Sequence, residues 1–354
     1  MRKLTTTLAF ALAMGSTVSH ADNLGRLSSL LGGQTHCEPN LYMQVEGTFL
    51  APIADESGTG GFAVTDLDSL TIATAATLDD YQEDFTAAPR ITLGYRGTND
   101  WGLQFRYWEL NSESDSSQSL PAPALNPANV SIVGGASHFE ATTMDLELTR
   151  DMRFRETSIL ATFGARYAEL DQGSRTDAFG VVANPTVVDV FNMSSTTGSK
   201  ARGTGLTGSL SALRQLERAP AISLFASGRT SVLFGDAGSS IDVSSYFDGT
   251  AGGGGAAGSI EGGANAFFIG EVQAGLQWSR LVSSFNARMF ARAAFEYQYW
   301  GADSGAVAAG ATSGTGILFP APPIPLQSNG SVLATADGFD NHLIGFGLST
   351  GFVW

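Results

Sequence analysis

Bulky apolar residues alternate with small or polar ones over ten stretches of the chain, and the period is two throughout, the mark of a strand with two unlike faces. In LYMQVEGTFL (41–50), Met43, Val45 and Phe49 share one face and Gln44, Glu46 and Thr48 the other. A hairpin follows in PRITLGYRGTNDWGLQFRYWEL, with Gly97-Thr98-Asn99-Asp100 as its turn. Further strands are predicted near 140–149, 159–169, 203–213, 221–234, 267–278, 285–299 and 341–354. The last reads NHLIGFGLSTGFVW, with Ile344, Phe346, Leu348, Phe352 and Trp354 set among Gly345, Gly347, Ser349 and Gly351.

The connections alternate between long and short. Those at 97–100, 150–156, 214–220 and 279–284 are tight; those at 51–89, 111–138, 170–201, 235–265 and 300–340 are long and rich in Gly, Ala, Ser and Pro. Such alternation predicts an all-β, antiparallel up-and-down transmembrane β-barrel of about ten strands, eight or twelve being the neighbouring even numbers. Lipid offers a sheet edge no hydrogen bonds, so the last strand must pair with the first. Long outer loops without regular structure and short periplasmic turns are expected.

Composition agrees. Only 15% of residues are charged, against roughly 25% in an average soluble domain. No apolar run after residue 21 is long enough for a membrane helix. Residues 1–21 have the order of a secretory signal: Arg2 and Lys3, an apolar core from Leu4 to Met14, and Ser19-His20-Ala21 before Asp22. Its removal moves the formal charge from −15 to −17, because Arg2 and Lys3 leave and no carboxylate does. A chain so acidic repels phosphate, so no nucleic-acid partner is expected. Residues 22–40 form a periplasmic lead-in holding the lone Cys37, and 41–354 the barrel in the cell outer membrane.

The charged faces should point inward. Predicted lumen-lining residues are Glu46, Arg90, Arg96, Arg106, Asp145, Glu147, Arg166, Arg229, Glu271, Arg288, Arg292 and Glu296, with Arg166 placed to meet Asp145 or Glu147 across a hairpin. The predicted aromatic girdles comprise Trp101, Trp278 and Trp354 at the periplasmic level, and Tyr107, Trp108, Tyr299 and Trp300 at the outer level. Ten strands enclose a lumen that is either a narrow polar passage or a space filled by its own side chains.

Catalytic chemistry has few candidates. His36, His138 and His342 are the histidines after the signal, and Asp340-Asn341-His342 sets a carboxylate and an imidazole two apart, similar to the Asp-x-His element of the ten-stranded omptin proteases. Asp66/Asp68 and Asp79/Asp80 are the acidic pairs that a second half of such a site would use. No zinc, Walker or dinucleotide motif occurs, Gly-rich 251–258 lacks a phosphate-binding context, and Asp79, Asp80, Glu83 and Asp84 spell no calcium loop. Neither catalytic activity nor a cofactor or metal is expected.

The stretches APRITLGYRGTNDWGLQFRYWEL (88–110), MDLELTR (144–150), FGARYAEL (163–170) and FEYQYWGA (295–302) resemble the Legionella-type major outer membrane protein family of pore-forming barrels, also widespread in planctomycetes. The resemblance implies a porin-like barrel passing small solutes or ions. A plugged structural or adhesive surface barrel is the alternative, and an omptin-like protease a remote one. Outer-membrane lipid and the barrel-assembly machinery, engaging the strand that ends in Trp354, are the expected partners.

Overall fold

The computed structural model describes residues 40–53, 60–66, 71–77, 85–120, 131–154, 156–184, 187–248, 254–315 and 328–354. The predicted signal, most of the lead-in with His36 and Cys37, and Asp68, Asp79, Asp80, Glu83 and Asp84 lie outside these residues; Asp66 is described as backbone alone.

Twelve strands occur in chain order: β1 (Asn40–Ile53), β2 (Gly60–Asp66), β3 (Thr71–Thr77), β4 (Thr86–Arg96), β5 (Trp101–Leu120), β6 (Ser131–Phe154), β7 (Thr157–Asn184), β8 (Val187–Leu216), β9 (Ala219–Asp248), β10 (Gly254–Val282), β11 (Ala287–Thr315) and β12 (Ser328–Val353). Ten of them, all but β2 and β3, form a closed antiparallel barrel in chain order. Closure is made by β1 against β12, from Tyr42 opposite Val353 to Ile53 opposite His342. Trp354 N donates to Leu41 O at 3.0 Å, so the ladder continues to the last residue of the sequence. The expected ten-stranded barrel is present. The extra hairpin β2–β3 instead extends the sheet beside the upper part of β12.

The connections at 97–100 and 217–218, and Ser283–Phe285 with Asn286, lie at one end, hereafter the turn end. Asp100 and Asn286 take positive φ there (64° and 46°), a conformation that Asp and Asn tolerate better than most residues. At the opposite, loop end the structure departs from expectation. Much of the predicted unstructured loop sequence is ladder, and β7 to β11 each run to 28–30 residues. The extensions hold because each strand has a partner on both sides, and because their inward residues find an apolar surface. There β9 approaches β11 and β12, and β8 approaches β12, around buried Met193, Ile241, Val243, Ala309 and Ala311.

Outside the barrel the alternation yields an uncharged apolar belt. Leu103, Phe105, Leu146, Leu148, Phe163, Leu206, Leu210, Val272, Leu276, Phe295, Phe346 and Leu348 are all exposed on it. Along β10 the outward run from Phe268 to Trp278 covers about 34 Å of strand, or about 24 Å of height at a 45° tilt. Charge resumes just past each border: Arg150, Arg214 and Arg280 at the turn end, and Glu109, Glu140, Glu169, Arg202 and Asp236 at the loop end. Small residues face inward where the interior is crowded. A Cβ on Gly347 would lie 2.6 Å from Glu46 Oε1, and one on Gly94 would enter the Tyr42 ring.

Candidate functional site

Alternation carries the charged residues of eight strands into one interior layer. Glu46, Arg90, Arg106, Asp145, Glu147, Arg166, Glu271 and Glu296 are all buried, and the Arg229 side chain nearly so. Two clusters form.

In the first, Asp145 of β6 accepts from Arg166 Nε and Nη2 at 2.6 and 2.8 Å, and from Arg229 Nη1 at 3.2 Å. Arg166 Nη1 also lies 2.7 Å from Glu271 Oε1, while Arg106 Nη2 donates to Glu271 Oε2 at 2.6 Å. Glu147 is held by Arg229, by Gln104 at 2.8 Å and by the Thr162 hydroxyl at 3.0 Å. The predicted hairpin pairing of Arg166 is present with Asp145.

In the second cluster Arg90 forks onto both oxygens of Glu296 (2.5 and 3.0 Å) and reaches Glu46 at 3.1 Å. Gln273 and Gln298 fill the remaining acceptor positions of Glu296 at 2.7 and 2.6 Å. Buried ions in this setting are tolerated because partners satisfy them, not because burial favours charge.

The pairs cross the lumen. In the closed order, β5 and β10 are five strands apart in ten, which places Arg106 and Glu271 on opposite walls. Arg90 with Glu296, Arg166 with Glu271, and Arg229 with Asp145 each span three strands. The interior at this level is therefore occupied by joined side chains.

Toward the loop end an apolar layer follows: Leu50, Trp108, Leu110, Phe139, Leu170, Leu233, Phe267, Ile269, Trp300 and Leu343. This corrects the expected girdle. Trp108 and Trp300 are 1% and 0% exposed and face each other inside the barrel at 6.3 Å, instead of facing lipid. Register explains it: Trp108 shares its face with Gln104 and Arg106, and Trp300 with Glu296 and Gln298. Each indole N–H finds an interior acceptor, Thr48 Oγ1 at 3.1 Å and Gln298 Oε1 at 3.2 Å. Tyr107 and Tyr299 face outward at the loop-end border, and Trp101, Trp278 and Trp354 are exposed at the turn end.

The remaining predicted residues sit nearer the turn end. Arg96 pairs with Asp151 apart from the main layer, its guanidinium 6.0 Å from the Tyr42 ring centroid. Arg288 and Arg292 face inward on β11, both half-buried. Arg292 donates to Gln277 Oε1 at 2.8 and 3.2 Å and lies over the Phe225 ring at 3.7 Å. Between the two ends the described interior holds seven arginines (Arg90, Arg96, Arg106, Arg166, Arg229, Arg288, Arg292) and six carboxylates (Glu46, Asp145, Glu147, Asp151, Glu271, Glu296).

His342 lies on the outer wall, its Nδ1 2.7 Å from the Tyr297 hydroxyl, while its neighbour Asn341 is buried inside. The imidazole thus points away from the lumen mouth. His138 is exposed on the outer wall beside Asp171, at 3.5 Å.

No protein-family model matches the chain, and no curated protein sequence matches it. Among solved structures it is similar to the outer membrane protease OmpT from Escherichia coli, at 10% identity and a TM-score of 0.35 over 86% of this chain and 96% of that one. It is also similar to Ail, the attachment invasion locus protein of Yersinia pestis, at 11% identity and a TM-score of 0.23 over 63% and 100%. A Pseudomonas aeruginosa FadL homologue gives 9% identity and a TM-score of 0.22 over 89% and 90%. At this level none of them informs the chemistry of this chain.

Proposed function

We propose that the chain is an outer-membrane protein whose barrel is a closed anchor, carrying a tall β-wall on the outer surface for contacts there, and not a passive pore. The belt supports the membrane location. It is uncharged and of the height a bilayer asks of tilted strands, with charge returning at both borders. The turn end then faces the periplasm and the loop end the outside, where the wall of β5 to β9 presents Glu109, Glu113, Asp115, Glu140, Glu169, Asp177 and Asp236. The outward Phe346, Leu348 and Phe352 of β12, with Trp354 directly after it, support a role for this strand in recognition by the barrel-assembly machinery.

One observation carries the closed reading: the Arg106–Glu271 ion pair joins opposite walls. A solute on a porin-like path would have to break it, then displace the fully buried Trp108 and Trp300, and then part the walls around Ile241 and Val243. A liposome-swelling assay with arabinose tests this. Protein-loaded vesicles should swell no faster than protein-free ones; swelling at the rate of an open porin would restore the passage reading.

A further inference from the structure

Every arginine of the two interior clusters is within 3.5 Å of at least one carboxylate: Arg90, Arg106, Arg166 and Arg229. Arg292 stands on different supports. Gln277 Oε1, an uncharged acceptor, takes hydrogen bonds from its Nε and Nη2. Its flanks are aromatic, with the Phe225 and Phe290 ring centroids 3.7 and 5.6 Å away. An arginine does not shed its proton in a protein, so its charge has to be met by something.

The neighbour across the ladder is Ser349 of β12, directly opposite Arg292 on the inward face. Ser349 is 7% exposed, and its Oγ has no hydrogen-bond partner. On its other side is Glu46, whose charge acts on Arg292 from a distance while its oxygens bond Arg90, Gln44 and Gln273. Two inward positions nearer the turn end is Arg288. On this side of the interior, below Glu46, the inward residues of β8 to β12 include two arginines and no carboxylate.

We propose that this turn-end part of the interior binds a small monovalent carboxylate, held between the Arg292 guanidinium and the Ser349 hydroxyl. The chemistry matches at each point. Nε and Nη2 are committed to Gln277, which leaves Nη1 to donate toward an anion; the Ser349 hydroxyl supplies a second donor. Arg292 keeps part of its surface exposed, whereas the charged residues of the clusters above are buried or nearly so. A charge-assisted contact with few competing waters is stronger than the same contact at the surface.

The test is calorimetric titration of the purified protein in zwitterionic detergent with acetate at constant ionic strength, alongside neutral acetamide. Acetate should bind saturably and acetamide should not. Ser349→Ala should weaken acetate roughly tenfold, through one lost bond to a charged group. Arg292→Gln should weaken it roughly a hundredfold. Ser349→Asp supplies the missing carboxylate internally, so it should abolish acetate binding while raising the temperature at which the folded band is lost on gels. Arg214→Gln, an exposed outward arginine at the turn-end border, should leave binding unchanged. Acetate heats that fail to saturate, acetamide binding as well as acetate, or acetate binding retained by Ser349→Asp would each overturn the site.

Discussion

Arg106 of β5 and Glu271 of β10 meet at 2.6 Å from opposite walls of a ten-stranded barrel. Each is also tied to a second partner, Arg106 to Asp145 and Glu271 to Arg166. A cross-lumen pair of this kind holds the barrel section in shape, since neither wall can move without stranding a charge.

Removing one member should therefore be costly. Glu271→Ala leaves Arg106 and Arg166 each short of a buried carboxylate, and we expect a loss of about 3–5 kcal/mol in unfolding free energy. Urea unfolding of the refolded protein in detergent measures it. The double variant Arg106→Met/Glu271→Leu should lose less than the sum of the two single changes, because the two side chains act as one unit.

The apolar layer makes a separate contribution. Trp108→Ala opens a cavity beside Trp300 and frees the Thr48 hydroxyl from the indole, for an expected cost of about 3–5 kcal/mol. Trp101→Ala, on the exposed belt border, should cost far less. If both tryptophans were girdle residues the two substitutions would behave alike in heat-modifiability on gels.

Lipid-facing positions should show a dependence on depth. Leu146→Arg, in the middle of the belt, should destabilise the folded barrel by about 2–4 kcal/mol, whereas Glu109→Arg, past the loop-end border, should stay within about 1 kcal/mol. Folding titrations into vesicles separate the two.

Crowding inside the closing strands gives a steric prediction. Gly347→Val puts a side chain on Glu46, next to the Arg90 pair, and should prevent folding into the heat-modifiable form. Gly134→Val, where an added Cβ meets nothing within 4 Å, should fold normally.

The strands, their antiparallel order and the tight turns were legible in the sequence because each membrane-level strand has one lipid face, and lipid enforces a strict period of two. Closure by the terminal strand followed from the same constraint, and Tyr42 opposite Val353 realises it. Two features were not legible. The sequence placed Trp108 and Trp300 at strand ends, as a girdle requires, yet both stand on the same register as inward charged residues, and register decides the face. The loop-end extensions read as unstructured because their apolar residues are sparse. Burial there comes from the opposite wall, with Met193, Ile241 and Val243 packed inside, and a single strand's pattern does not show its distant partner. The same holds within the site: Arg166–Asp145 is a hairpin neighbour and was foreseen, while Arg90–Glu296 lies 206 residues apart.

The closed interior is tested most directly by single-channel recording in planar bilayers, comparing the wild-type barrel with Arg106→Ala/Glu271→Ala. Wild-type protein of proven fold should give no discrete openings, and the double variant, its cross-lumen tie removed, should give no more than brief, small ones past the intact Trp108–Trp300 layer. Stable, frequent openings of the wild type would contradict the account and show a passage that the paired charges line without blocking.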